Sequence, residues 1–71
     1  MNPAEAKATV VAVEPGESGG APAVAVSVRF EDGRIERSDM RPDLVPDGLA
    51  AGDAILITSA ALYRRWTIRK A

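Results

Sequence analysis

The sequence predicts an all-β domain, folded as one small five-stranded barrel. Residues 23–31, AVAVSVRFE, place Val24, Val26, Val28 and Phe30 at alternate positions, the period of a strand with one face buried. An Asp32-Gly33 pair separates this run from residues 34–37, and such a pair favours a tight β-hairpin. No apolar pattern of helical spacing runs far between the Pro and Gly residues, so no long helix is expected. The chain has 71 residues, enough for one core and no second domain.

The elements follow in order. Residues 1–6 are expected to fray, since Asn2-Pro3 discourages regular pairing. Residues 7–14, KATVVAVE, form a Val-rich first strand. Its inward face stays open, because Val10, Val11 and Val13 do not alternate. Residues 15–22, PGESGGAP, hold three Gly and two Pro and are expected to form a mobile loop. Residues 23–31 are the second strand and residues 34–37 the third. A two-residue type I′ turn at Asp32-Gly33 sets Glu31 opposite Arg34 and Phe30 opposite Ile35, with both apolar side chains on the core face.

Residues 38–52 interrupt the strands. Pro42, Pro46 and Gly48 allow a turn or a short 3-10 piece, and Met40, Leu44, Val45 and Leu49 are expected to plug one end of the barrel. Gly52-Asp53 turns into a fourth strand, residues 54–58, with Ile55 and Ile57 on one face. Residues 64–70, RRWTIRK, form the last strand, with Trp66 and Ile68 facing inward and Arg65, Thr67 and Arg69 outward. The expected core is Val24, Val26, Val28, Phe30, Ile35, Ile55, Ile57, Trp66 and Ile68. Thirteen of the hydrophobic residues are Ala and twenty are larger, which suffices for one small core of marginal stability, ~3–5 kcal/mol. Barrel closure or self-association would protect the sheet edges. With the longest insertion between strands three and four, a Greek-key OB-like barrel fits this order, and an SH3-like barrel is the alternative.

Asp32-Gly33, Met40-Arg41, the run Gly52-Asp53-Ala54-Ile55-Leu56-Ile57, and Ile68-Arg69 follow one another with irregular stretches between. In this the second half of the chain resembles the S1-type OB domains, and among them the bacterial translation initiation factor 1 family. The resemblance implies a small barrel and a tendency to bind nucleic acid. It departs from the family in residues 38–43, where two acids and one Arg replace a Lys/Arg-rich loop, and in the longer Gly/Pro stretch at residues 15–22.

Composition removes several function classes. The chain has no Cys and no His, so disulfides, thiol chemistry, the usual zinc sites and most general-base catalysis are out of reach. Ser18, Ser27, Ser38 and Ser59 lack an activating His, and Gly16 to Gly20 lacks the Lys of a phosphate-binding loop. No enzyme activity, cofactor or metal site is expected. Asp39, Asp43 and Asp47 recur every four residues, but Pro42 and Pro46 deny them one helical face. No apolar run approaches a membrane span and no secretory leader is visible, so a cytoplasmic protein without membrane contact is expected. Abundant Ala, and seven Arg against two Lys, suggest a GC-rich bacterial source.

The net charge is −1, yet residues 62–70, LYRRWTIRK, carry four cations and no acid. Arg64, Arg65, Arg69 and Lys70 are candidate phosphate contacts and Tyr63 a candidate base-stacking residue. Trp66 serves either as core or as a stacking platform. The expected function is a small barrel that binds RNA or single-stranded DNA through its last strand. The alternative is a protein-interaction barrel that docks a peptide or another subunit through an edge or groove, with a homo-oligomer as one form of it.

Overall fold

The computed structural model describes residues 5–60 and 65–71. Five strands form one antiparallel sheet: β1 (Glu5–Ser18), β2 (Ala21–Phe30), β3 (Ile35–Met40), β4 (Ala54–Ala60) and β5 (Arg65–Lys70). Their order across the sheet is β3-β2-β1-β4-β5. A three-residue 3-10 turn, η1 (Pro42–Leu44), is the helical element among the described residues. The all-β expectation holds, but the sheet is not closed into a barrel. β3 and β5 are its two edges, and a cleft lies where closure would have joined them.

Strand β1 is central and longer than expected. Glu5 and Ala6, expected to fray, pair with Thr58 and Ile57. Glu5 to Thr9 pair with β4, and Ala8 to Ser18 pair with β2. The open question of its inward face has a simple answer: a β-bulge between Val10 and Ala12. An extra residue shifts the side-chain parity of everything after it. Ala8 and Val10 therefore face the core before the bulge, as partners of Phe30 and Val28, and Val13 faces it afterwards, as partner of Val26. Val11 is the residue left over, and it is exposed.

The stretch at residues 15–22 is not a loop. β1 runs to Ser18, β2 starts at Ala21, and only Gly19-Gly20 turns, with φ of 60° and 80°. Positive φ at both central residues is a type I′ hairpin. A two-residue hairpin makes Ser18–Ala21 a hydrogen-bonded pair, so the alternate pairs Glu17–Pro22 and Pro15–Val24 are the non-bonded ones. Both prolines thus sit where no ladder bond to the facing strand is lost. On their other sides they meet no strand, since β4 pairs β1 only through Thr9 and β3 pairs β2 only from Val24 onward. Gly20→Val should lower stability by ~1–2 kcal/mol, the left-handed backbone penalty. Gly19→Asn should be neutral, because Asn-Gly suits the same turn. Urea unfolding midpoints of the two variants check this.

The second hairpin corrects the expected register by one residue. Phe30 donates to the Arg34 carbonyl at 2.9 Å, and Gly33 donates to Phe30 at 2.9 Å. The loop therefore has three residues, Glu31-Asp32-Gly33, with Gly33 at φ 89°, a type I turn followed by a left-handed residue. The Asp32 carboxylate accepts the Arg34 N–H at 2.9 Å. A one-residue slip reverses the faces of a strand. Ile35 pairs with Arg29 on the outer face and is 57% exposed, not core. In place of Ile35, Arg34 lies opposite Phe30, with its guanidinium 4.8 Å from the ring centroid.

The core consists of Ala8, Val10, Val26, Val28, Met40, Leu49, Ile55, Ile57 and Ile68, with Val13, Val24, Phe30, Val45 and Trp66 packed against it. Met40 and Leu49, with Val45 packed beside them, thus join the core of the open sheet rather than plugging the end of a closed barrel, and Leu44 stays exposed.

Candidate functional site

The cleft at the open seam has a volume of about 330 Å³ and is lined by Ser18, Ala21, Pro22, Ala23, Ser38, Asp39, Met40, Arg41, Leu44 and Trp66. A strand face offers every second residue to a neighbour. Here four consecutive residues, Ser38 to Arg41, form one wall, so the cleft runs along the edge of β3 rather than over its face. Ala21 to Ala23, at the start of β2 beyond the reach of β3, continue the lining, with the ladder bonds of Ala21 and Ala23 directed to Ser18 and Gly16 of β1. Trp66 of β5 supplies the opposite side. Its ring meets Phe30 edge-on, with centroids 6.3 Å apart and planes at 90°, so one part of the indole packs on the core while another lines the cleft.

Charge around the cleft is balanced locally. Arg37 lies 3.6 Å from Asp39, and Arg41 donates to Asp43 at 2.9 Å. Arg34 lies 3.0 Å from Glu36. Among the described residues, Lys7 and Arg29 are cations without an ion pair. They line a second cavity of about 280 Å³ together with Glu31.

Of the residues expected to form a basic strip, the structure places the side chains of Arg69 and Lys70. Arg69 and Lys70 are adjacent on β5 and leave the sheet on opposite sides. Arg69 makes a two-pronged contact with Glu5, at 3.0 and 3.2 Å. That hydrogen bond, and then the carboxylate charge, raise the Arg69 guanidinium above its ordinary pKa. Lys70 points the other way, 4.0 Å from the Asp53 carboxylate. Arg65 opens β5 opposite Ala60, and Tyr63 and Arg64 lie outside the described residues. Trp66 was legible as the central aromatic of this segment, but its place in a cleft with β3 was not, because β3 and β5 are joined by neither sequence nor pairing. Two hints of the edge were present in the sequence: the alternating charges of Glu36, Arg37 and Asp39, and Pro42 just beyond them.

Comparison with protein-family models, with curated proteins and with solved structures gives no match.

Proposed function

We propose that this chain is an OB-type domain, opened along one seam, that recognises protein rather than nucleic acid and carries out no catalysis. The OB reading is supported by the position of β1 between β2 and β4 and by the single irregular insertion between β3 and β4. Joining β3 to β5 would complete such a barrel. The functional reading rests on one observation: the cleft is walled by the unpaired edge of β3 and by Pro22, Met40, Leu44 and Trp66, while the one arginine that lines it among the described residues, Arg41, already holds the Asp43 carboxylate. Unpaired N–H and C=O groups are the recognition element for an extended polypeptide, which adds itself as a further strand. Phosphate recognition along a strand needs several cations in the groove, and here, among the described residues, Arg41 is the one cation in the lining.

A photo-crosslinking side chain at Leu44, which is 46% exposed at the cleft, tests this reading. Crosslinks formed in a cell extract after nuclease treatment should map to polypeptide. They should disappear when Met40 and Trp66 are screened by Ser38→Arg. Crosslinks to nucleotides, together with oligonucleotide binding whose log affinity falls against log salt with a slope of roughly −3, would overturn it; that slope corresponds to about four phosphate contacts.

A further inference from the structure

The edge of β3 is complementary to itself. Phe30 donates to the Arg34 carbonyl, which makes Phe30–Arg34 and every second pair after it the hydrogen-bonded ones of the β2–β3 ladder. The backbone groups of Glu36, Ser38 and Met40, opposite Val28, Val26 and Val24, therefore turn toward β2. Those of Ile35, Arg37 and Asp39 turn outward, to the free edge. Laid antiparallel on a copy of itself about Ser38, this edge brings Arg37 opposite Asp39 at two symmetric places, and both are outward-bonding residues. The same register sets Ile35 beside Arg41 of the second copy, on the outer face that also carries Arg37 and Asp39. Ile35 and Leu44, exposed by 57% and 46%, are two of the three large exposed apolar side chains among the described residues, and they bracket this edge.

We propose that β3 pairs antiparallel with β3 of a second copy, centred on Ser38, forming a two-fold dimer with the symmetric Arg37–Asp39 contacts on the outer face of the joined sheet. This rests on the protein-recognition reading and names its partner. A two-fold interface uses one patch twice, so each favourable contact is repeated. The alternating Arg37 and Asp39 mismatch most other strands while matching their own kind, the usual way an edge is kept selective. Within one chain the two side chains are 3.6 Å apart and largely exposed, so they exchange partners at little cost.

Charge reversal in trans is the test. Arg37→Asp sets carboxylate against carboxylate in its own dimer, and Asp39→Arg sets guanidinium against guanidinium. Sedimentation velocity over rising concentration should show self-association of the unaltered chain, weakened about tenfold or more in each variant alone. An equimolar mixture of the two variants should recover it, because every opposed pair is then of opposite sign. Circular dichroism checks that both variants fold, as expected at exposed positions. An unaltered chain that stays monomeric up to millimolar concentration, or a mixture no more associated than its components, would overturn the dimer. In that case polypeptide crosslinks from Leu44 to some other chain would leave protein recognition standing, whereas nucleotide crosslinks would remove both.

Discussion

Ile55→Ala is expected to leave the domain largely unfolded at room temperature, while Ile35→Ala folds like the unaltered chain. Ile55 is 1% exposed and sits on β4 between Ala8 of β1 and Lys70 of β5, within the core cluster. Removing a buried Ile side chain costs ~2–5 kcal/mol, through lost transfer energy and the cavity left behind. A domain of this size holds only ~3–5 kcal/mol in total. Ile35 faces solvent, where truncation changes stability by no more than about 0.5 kcal/mol. Thermal melts of the two variants, side by side, decide the matter. Loss of folding in Ile35→Ala would restore the two-residue hairpin register, in which Ile35 belongs to the core.

That contrast also marks what the sequence could reveal. Five of the expected core residues, Val26, Val28, Ile55, Ile57 and Ile68, are buried, because period-two alternation carries the information locally. Val24, Phe30 and Trp66 pack against them half-buried. Ile35 failed for a specific reason. An Asp-Gly pair serves a two-residue turn and also a three-residue turn ending in a left-handed Gly, and the choice moves every later side chain to the other face. The β1 bulge had the same effect in reverse, hiding a regular strand behind three valines that did not alternate. Residues 15–22 misled because Gly and Pro density signals a loop, while these prolines fall at non-bonded ladder positions where a strand accepts them.

The site was less legible than the fold because its parts are distant in sequence. Arg69 meets Glu5 across 64 positions, an outer-face ion pair that no local pattern announces. The cleft is a property of which two strands remain at the edges, and that follows from sheet order rather than from any local pattern.

Trp66→Ala should produce the second large effect, and Trp66→Phe separates its two causes. The indole bridges the seam, meeting Phe30 edge-on within the core cluster and walling the cleft opposite β3. Truncation to Ala loses both and should cost about 3 kcal/mol, the low end for a large aromatic since the ring is only half-buried. Phe keeps an edge-to-face partner for Phe30 and should cost less than about 1.5 kcal/mol. It shortens the wall that faces Met40 and Leu44, so ligand capture at Leu44 should fall while the urea midpoint moves little. Trp66 is the single tryptophan of the chain, so its fluorescence in the unaltered protein reports the cleft directly: occupancy should shift the emission to the blue as water leaves the ring. An unfolding midpoint unchanged by Trp66→Ala would mean that the indole carries none of the seam's stability, and the coupling between core and cleft drawn here would fail with it.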